Sequence, residues 1–134
     1  MSKGEKKHDE NAADTIASNK KAFFNFEILE KVEAGLALLG SEVKSLRNRD
    51  VSIGEAFVRP RGDELFILGM NIKPYLQANI RNHDPLRPRK LLLHKREIRR
   101  LIGKVSERGY TIVPLRLYWK HGIAKVQIAT ARGR

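Results

Sequence analysis

Residues 110–130, YTIVPLRLYWKHGIAKVQIAT, decide the fold. β-branched and aromatic residues dominate as far as Trp119, which reads as a strand. Lys120-His121-Gly122 is a turn, and residues 123–130 alternate as the returning strand. The same sign recurs upstream. Residues 51–59 alternate, with Val51, Ile53 and Phe57 broadly on one parity. Pro60-Arg61-Gly62-Asp63 is a strong turn signal, and residues 64–72 return as a strand. Phe24, Phe26 and Ile28 alternate at period two. Glu33-Ala34-Gly35 interrupts that run, with Gly35 able to bend or bulge, and residues 36–39 resume it.

These strands form antiparallel hairpins, with no alternation of strand and crossover helix. At this length a barrel of about six strands removes the unpaired edges an open sheet would leave. The expected fold is mainly β: an OB-like six-stranded antiparallel barrel with two or three short flanking helices. One helix is expected at residues 42–48, with Ser41 capping it and Glu42 at the positive end of its dipole. A second is expected at residues 90–102, with Leu91, Ile98, Leu101 and Ile102 on one face and Gly103 as the stop. On that wheel Leu92 lies about 100° from Leu91, an apolar residue beside Arg96 and Arg99. Residues 74–88 form a long irregular segment, which in a compact domain is usually functional. Residues 1–18 are polar and read as a disordered arm; residues 19–134 are expected to be one domain.

Charge points to the partner. Of the 134 residues 31% are charged, and the formal net charge is +12. Residues 81–104 carry nine Lys and Arg against Asp84 and Glu97, a net +7 and more than half of the total. Such a surface repels itself unless it meets an anion, and nucleic acid supplies matching charge density. A membrane surface would serve the charge equally. The basic helix, however, lacks the broad apolar face with Trp or Phe that membrane binding needs. No apolar run reaches the roughly 20 residues of a membrane span. The absence of cysteine excludes a disulfide framework and permits a reducing cytoplasm.

Candidate contacts follow from residue chemistry. In Arg87, Arg89 and Lys90, Pro85 and Pro88 stiffen the loop that presents the cations, so less entropy is lost on meeting phosphate. Asp84 is expected to accept backbone amides in its own turn. Leu92 either packs under a loop or touches an unstacked base or ribose. Glu33 and Glu42 are either local charge partners or groups that hydrogen-bond a base amino group or orient an arginine. Tyr118 and Trp119 either stack bases or sit on opposite strand faces. Catalysis has little support: His8, His83, His94 and His121 are scattered without metal-ligand spacing, and no glycine-rich phosphate cradle occurs. A nuclease using Glu33 or Glu42 with a divalent ion is therefore disfavoured. A general OB-type single-stranded RNA binder is the main alternative, weakened by an aromatic content of only 7%.

Three blocks carry a family resemblance. They are Glu33-Ala34-Gly35-Leu36, Gly40-Ser41-Glu42-Val43-Lys44-Ser45-Leu46-Arg47, and Asp84-Pro85 with Arg87, Arg89, Lys90 and Leu91-Leu92-Leu93. With Asn19-Lys20, Pro74-Tyr75, Glu97, Val113-Pro114-Leu115 and Ala131-Arg132-Gly133, the chain resembles the SsrA-binding protein (small protein B) family from residue 19 to residue 134. The resemblance implies an OB-like barrel that binds the tRNA-like domain of transfer-messenger RNA and delivers it to stalled ribosomes in the cytoplasm. It implies neither catalysis, nor a cofactor or metal, nor a small-molecule substrate or membrane partner. It places RNA contacts at Asn19, Glu33 and Leu92, and more weakly at Lys20, Lys21, Glu42, Lys44, Arg47, Arg87, Arg89 and Lys90. The pattern departs at Phe23 and Phe24, where the family usually has a basic residue and a histidine. The family also continues past Ala131-Arg132-Gly133 with a basic tail that enters the decoding site. This sequence ends at Arg134, so the expectation for the 134-residue form is RNA binding without rescue.

Overall fold

A computed structural model describes residues 14–75 and 82–134. In chain order it contains β1 (Thr15–Ser18), α1 (Lys20–Asn25), β2 (Phe26–Leu36), α2 (Gly40–Arg47), β3 (Val51–Ser52), β4 (Phe57–Arg61), β5 (Glu64–Leu68), β6 (Asn71–Ile72), β7 (Arg89–Leu92), α3 (Lys95–Arg108), β8 (Thr111–Lys120) and β9 (Ile123–Gly133). β8 and β9 form a hairpin with Lys120 opposite Ile123. His121 (φ 52°) and Gly122 (φ 75°) both take positive φ, as the two-residue turn that matches strand twist requires.

The ladder runs β8–β4–β5–β7–β2–β9 and returns to β8, all pairs antiparallel. This is the six-stranded barrel expected, closed at Val58 opposite Ile112. β1 adds to the same edge of the hairpin, with Ser18 opposite Arg116, and β3–β6 form a separate short pair. Ile67, Leu91, Ile112, Leu117, Val126 and Ile128 fill the interior, and Leu101 of α3 joins them; all are at most 1% exposed. A second, smaller core lies under α1, where Ala22 covers Val113, Leu115, Ala129 and Ala131.

Two bulges let single strands serve both cores. β2 gains one residue between Ile28 and Lys31, opposite 129–131 of β9, and β8 gains one between Pro114 and Arg116, opposite the adjoining 127–128. Each extra residue reverses the side-chain parity of its strand. Phe26 and Ile28 therefore pack toward α1, while Val32, Ala34 and Leu36 face the barrel. The bulge also explains the proline in a central strand, since Pro114 sits where the ladder is already broken. The buried Thr130 hydroxyl accepts the Glu30 amide at 3.1 Å, which satisfies the bulge.

The structure corrects several boundaries. The helix expected at residues 90–102 is two elements. Residues 89–92 are β7, because Leu91 and Leu92 pair with Leu36 and Gly35 while Arg89 and Lys90 pair with Ile67 and Phe66. The helix itself starts at Lys95, passes through Gly103 and ends at Arg108 before Gly109. Phe24 lies in α1, not in a strand, and β2 runs without interruption through Glu33-Ala34-Gly35. The strands expected over residues 51–59 and 64–72 each break, into β3 and β4 and into β5 and β6, and Pro60 and Arg61 belong to β4 rather than to the turn. α2 starts at Gly40, and Ser41 does not cap it; the Leu39 amide instead donates to Glu42 at 2.8 Å. The boundary expected at residue 19 is four residues late, because Ile16 of β1 is buried against the barrel. The rest of the expected arm, residues 1–13, lies outside the described residues.

The segment before β7 is held by polar groups. Asp84 Oδ1 accepts the Leu86 amide at 3.0 Å, as its turn role required. His83 is buried. Its Nε2 faces the carbonyls of Ile72 (2.8 Å) and Lys73 (3.1 Å), so the proton sits there and Nδ1 accepts from the Ser41 hydroxyl at 2.8 Å. Glu42 is fully buried against the fully buried Arg89. Arg89 donates from Nε to Glu42 at 2.8 Å and from Nη1 to the Met70 carbonyl at 2.7 Å. Arg87 adds Nη2 to Glu42 at 2.7 Å. Burial pushes the Glu42 carboxyl up, but the bonds from Arg87, the Leu39 amide and Arg89 outweigh it. Its pKa lies below the ordinary 4.5.

Removing one partner of such a pair strands the other charge. Glu42→Gln is expected to lower unfolding free energy by about 3–5 kcal/mol, measured by urea titration at neutral pH. The depressed carboxyl stabilises the fold above its unfolded-state pKa, and that contribution is lost as pH falls through the folded-state value. The wild-type melting temperature should therefore fall more steeply below pH 4.5 than that of Glu42→Gln.

Candidate nucleic-acid interface

The barrel register builds one outward face from five strands. Cα partners run Leu92, Gly35, Lys125, Tyr118 and Thr15 across β7, β2, β9, β8 and β1. The next row is Glu33, Gln127, Arg116 and Ser18. The neighbours in sequence Leu91, Ala34, Val126 and Leu117 all point into the core, which fixes these rows on the outside. Three sequence candidates meet here: Glu33, Leu92, and the end of β1 that leads into Asn19.

Leu92 is 49% exposed at the end of β7. It has room because its partner is Gly35: a Cβ there would sit 3.3 Å from the Leu92 Cβ. Glu33 is exposed, yet both its oxygens are engaged. The Tyr118 hydroxyl donates to one at 2.5 Å, and Lys120 Nζ lies 3.2 Å from the other. The Tyr118 bond is the main reason the Glu33 carboxyl lies below its ordinary value; burial opposes it and Lys120 adds to it. Burial, with Glu33, pushes the Tyr118 phenol well up, so it remains a donor. The Arg116 guanidinium lies 3.9 Å from the Tyr118 ring centroid and donates to Thr15 Oγ1 at 3.0 Å. Glu33 thus fixes Tyr118 and Lys120 in place, and the Tyr118 ring in turn lies against Arg116. Below Leu92 the face runs into the start of α3, where Leu93, His94 and Glu97 line one depression with Glu33 and Lys125.

Several candidates are not positioned to touch a ligand. Glu42 and Arg89 are interior, spent on each other for the reasons given above, so neither is a direct contact. Asn19 is 4% exposed and caps α1: Oδ1 accepts the Ala22 amide at 3.3 Å and Nδ2 donates to the Pro114 carbonyl at 2.9 Å. Its side chain holds α1 against β8 and presents no free group. Arg87 is one-third exposed and bonded to Glu42. Lys44 and Arg47 are exposed on α2, with Lys44 Nζ 5.5 Å from the Tyr75 ring centroid. Lys20 and Lys21 are exposed on α1, with Lys21 paired to Glu55 at 2.7 Å. Lys90 shares the outward parity of Leu92 and lies 4.0 Å from Glu64. Trp119 packs into the barrel while Tyr118 faces out, the opposite-face arrangement. Sequence reasoning missed Arg116, Lys120, Lys125 and Gln127. The alternation of Ala124, Val126 and Ile128 was a signal for the two on β9; the bulge hid Arg116, and Lys120, read as a turn residue, is the last residue of β8.

A small β-barrel presenting fixed polar groups and cations on one outward sheet face is the architecture of an OB-like nucleic-acid-binding module. The SmpB protein family matches residues 16–134. The SsrA-binding protein of Aquifex aeolicus (strain VF5) is 58% identical over 120 residues, covering 89% of this chain and 76% of that one. That of Geobacillus kaustophilus (strain HTA426) is 51% identical over 134 residues, covering 100% of this chain and 82% of that one. A chain in the solved structure described as "tmRNA-SmpB: a journey to the center of the bacterial ribosome" superposes with a TM-score of 0.71 at 49% identity. The match covers 87% of this chain and 82% of that one. The chain belongs to the SmpB protein family, whose members here are SsrA-binding proteins.

Replacing the Asn19 cap should loosen the α1 edge of the face without dismantling the barrel. Asn19→Ala is expected to cost about 1–2 kcal/mol in urea denaturation, with amide exchange accelerated in α1 more than in β9.

Proposed function

We propose that this chain binds the tRNA-like part of transfer-messenger RNA and delivers it to stalled ribosomes in the bacterial cytoplasm. It acts as a binding partner, not as an enzyme. The observation that carries the reading is the outward face on which Leu92, Glu33 and the Asn19-anchored end of α1 come together beside Arg116, Lys120 and Lys125. The relatives' description as SsrA-binding proteins supports the choice of RNA. Among the described residues no helix is long and apolar enough to cross a membrane.

The mechanism is recognition of RNA shape. Lys and Arg neutralise phosphates and release counterions, which supplies affinity without sequence preference. Discrimination comes from few groups. Leu92 offers an apolar contact to an unstacked base or ribose, and Glu33 holds Tyr118 and Lys120 where 2′-hydroxyls and loop bases are accessible. Bound to the elbow of the tRNA-like domain, the barrel fills space that an anticodon arm fills in ordinary tRNA. Asn19, Glu42 and Arg89 serve this role by positioning. Lys20, Lys21, Lys44, Arg47, Arg87 and Lys90 add positive field.

Binding to the tRNA-like domain, with elongator tRNA and unstructured RNA of equal length as competitors across a salt series, tests the reading. Selective binding that persists at physiological salt is expected. Equal binding to all three that vanishes with salt would leave a general single-strand binder. Within that assay Leu92→Ala should weaken binding about tenfold at constant salt slope, whereas Lys125→Ala should reduce the slope by about one.

A further inference from the structure

α1 carries two exposed aromatics, Phe23 at 48% and Phe24 at 79%. Phe23 lines a cavity. That cavity measures about 250 Å³ and is formed with Lys20, Leu115, Arg116 and Gln127, beside Ser18 and Asn19. It is smaller than the roughly 300 Å³ at which drug-sized ligand sites begin, and suits one flat ring system.

Three features set its chemistry. Phe23 and Leu115 supply apolar wall, and burying an aromatic face against a base is sequence-tolerant stacking. Gln127 carries both a hydrogen-bond donor and an acceptor, so it can read the edge of a base. Lys20 and Arg116 place positive charge where the phosphates of that nucleotide would pass. The cavity is also continuous with the face already described, since Ser18, Arg116 and Gln127 form one cross-strand row with Glu33. Among the described residues no carboxylate lines it.

We infer that this cavity receives a single unpaired nucleobase of the bound RNA, stacked on Phe23, with the Gln127 amide at its edge. The inference rests on the RNA-binding reading above and adds a subsite to it. The base is extruded from a loop, because a paired base has no free face to offer. Asn19, by capping α1, sets the position of Phe23 three residues beyond its own helix start.

The test uses the full chain and the tRNA-like domain of transfer-messenger RNA. Phe23→Ala should weaken binding about tenfold, the loss of one stacked base, with the salt slope unchanged. Phe23→Trp should restore affinity, and Phe24→Ala should bind like wild type. Abasic substitutions are then scanned through the unpaired loops. At one position the difference between wild type and Phe23→Ala should vanish, since the ring has then lost its partner. Unaltered binding by Phe23→Ala, while Leu92→Ala is impaired, would overturn the base pocket and leave the RNA reading standing. So would a Phe23→Ala defect that no abasic position abolishes, which would mark a structural effect on α1. Failure of the wild type to prefer this RNA over unstructured RNA would overturn the reading beneath it.

Discussion

Glu42 and Arg89 are the hinge of this architecture because neither has an alternative. A buried carboxylate without its guanidinium, or the reverse, is far costlier than an unpaired surface charge. The pair meets where α2, β7 and the Met70 backbone converge, so satisfying it sets their mutual placement. Arg87 extends the network to the loop that follows Asp84. β7 is short, and its hold on the barrel rests on two ladders of limited length with β5 and β2. The ion pair makes that short strand a fixed element. Leu92, at its exposed end, inherits the rigidity. A basic, proline-flanked cluster that looks built for phosphate thus owes part of its composition to the interior.

The second constraint is geometric. β9 is flanked on both sides by a strand with one residue too many. The paired bulges bend the sheet where the barrel turns its corner, and they expose one end of β2 and β8 to α1 and the other to the core. Without the parity reversal in β8, Arg116 and Leu117 would exchange faces. The cation would enter the barrel and the leucine would stand among the polar groups of the outward rows. The placement of Arg116 beside Tyr118 and Gln127 is therefore a consequence of the bulge that also tolerates Pro114.

Much of this was legible in the chain. The β8–β9 and β4–β5 hairpins announce themselves through alternation and turn residues, because local sequence sets both. The barrel followed from counting strands and refusing open edges. What misled was the run from Arg89 to Leu93. Alone, with a basic helix after it, it has helical propensity; in the fold, the ladder with Gly35 and Leu36 and the salt bridge of Arg89 win. Period arguments also cannot see bulges, so the outward parity of Arg116 was hidden. Glu42 and Arg89 show the same limit for function. Their residue types suit RNA contact and buried pairing equally, and only three-dimensional neighbours separate the two. Leu92 was rightly flagged as exposed on the wrong element: helix and strand happen to agree in separating it from Leu91.

The face that results is not simply the most positive part of the molecule. Glu33 sits at its centre and neutralises part of the charge of Lys120. A surface selected only for affinity toward phosphate would not keep a carboxylate there, since it repels the backbone it must approach. On the function proposed above, its presence serves discrimination. Long-range attraction is supplied by cations elsewhere, among them the exposed Lys95, Arg96 and Arg99 of α3, and it draws in any RNA alike. At the outward rows the protein instead holds a few groups in one arrangement, with Tyr118 and Lys120 locked by Glu33 and Leu92 given its place by Gly35. An RNA that matches them gains contacts and one that does not meets a misplaced negative charge. On that proposal, the cost in raw affinity is what separates a folded RNA partner from other RNA.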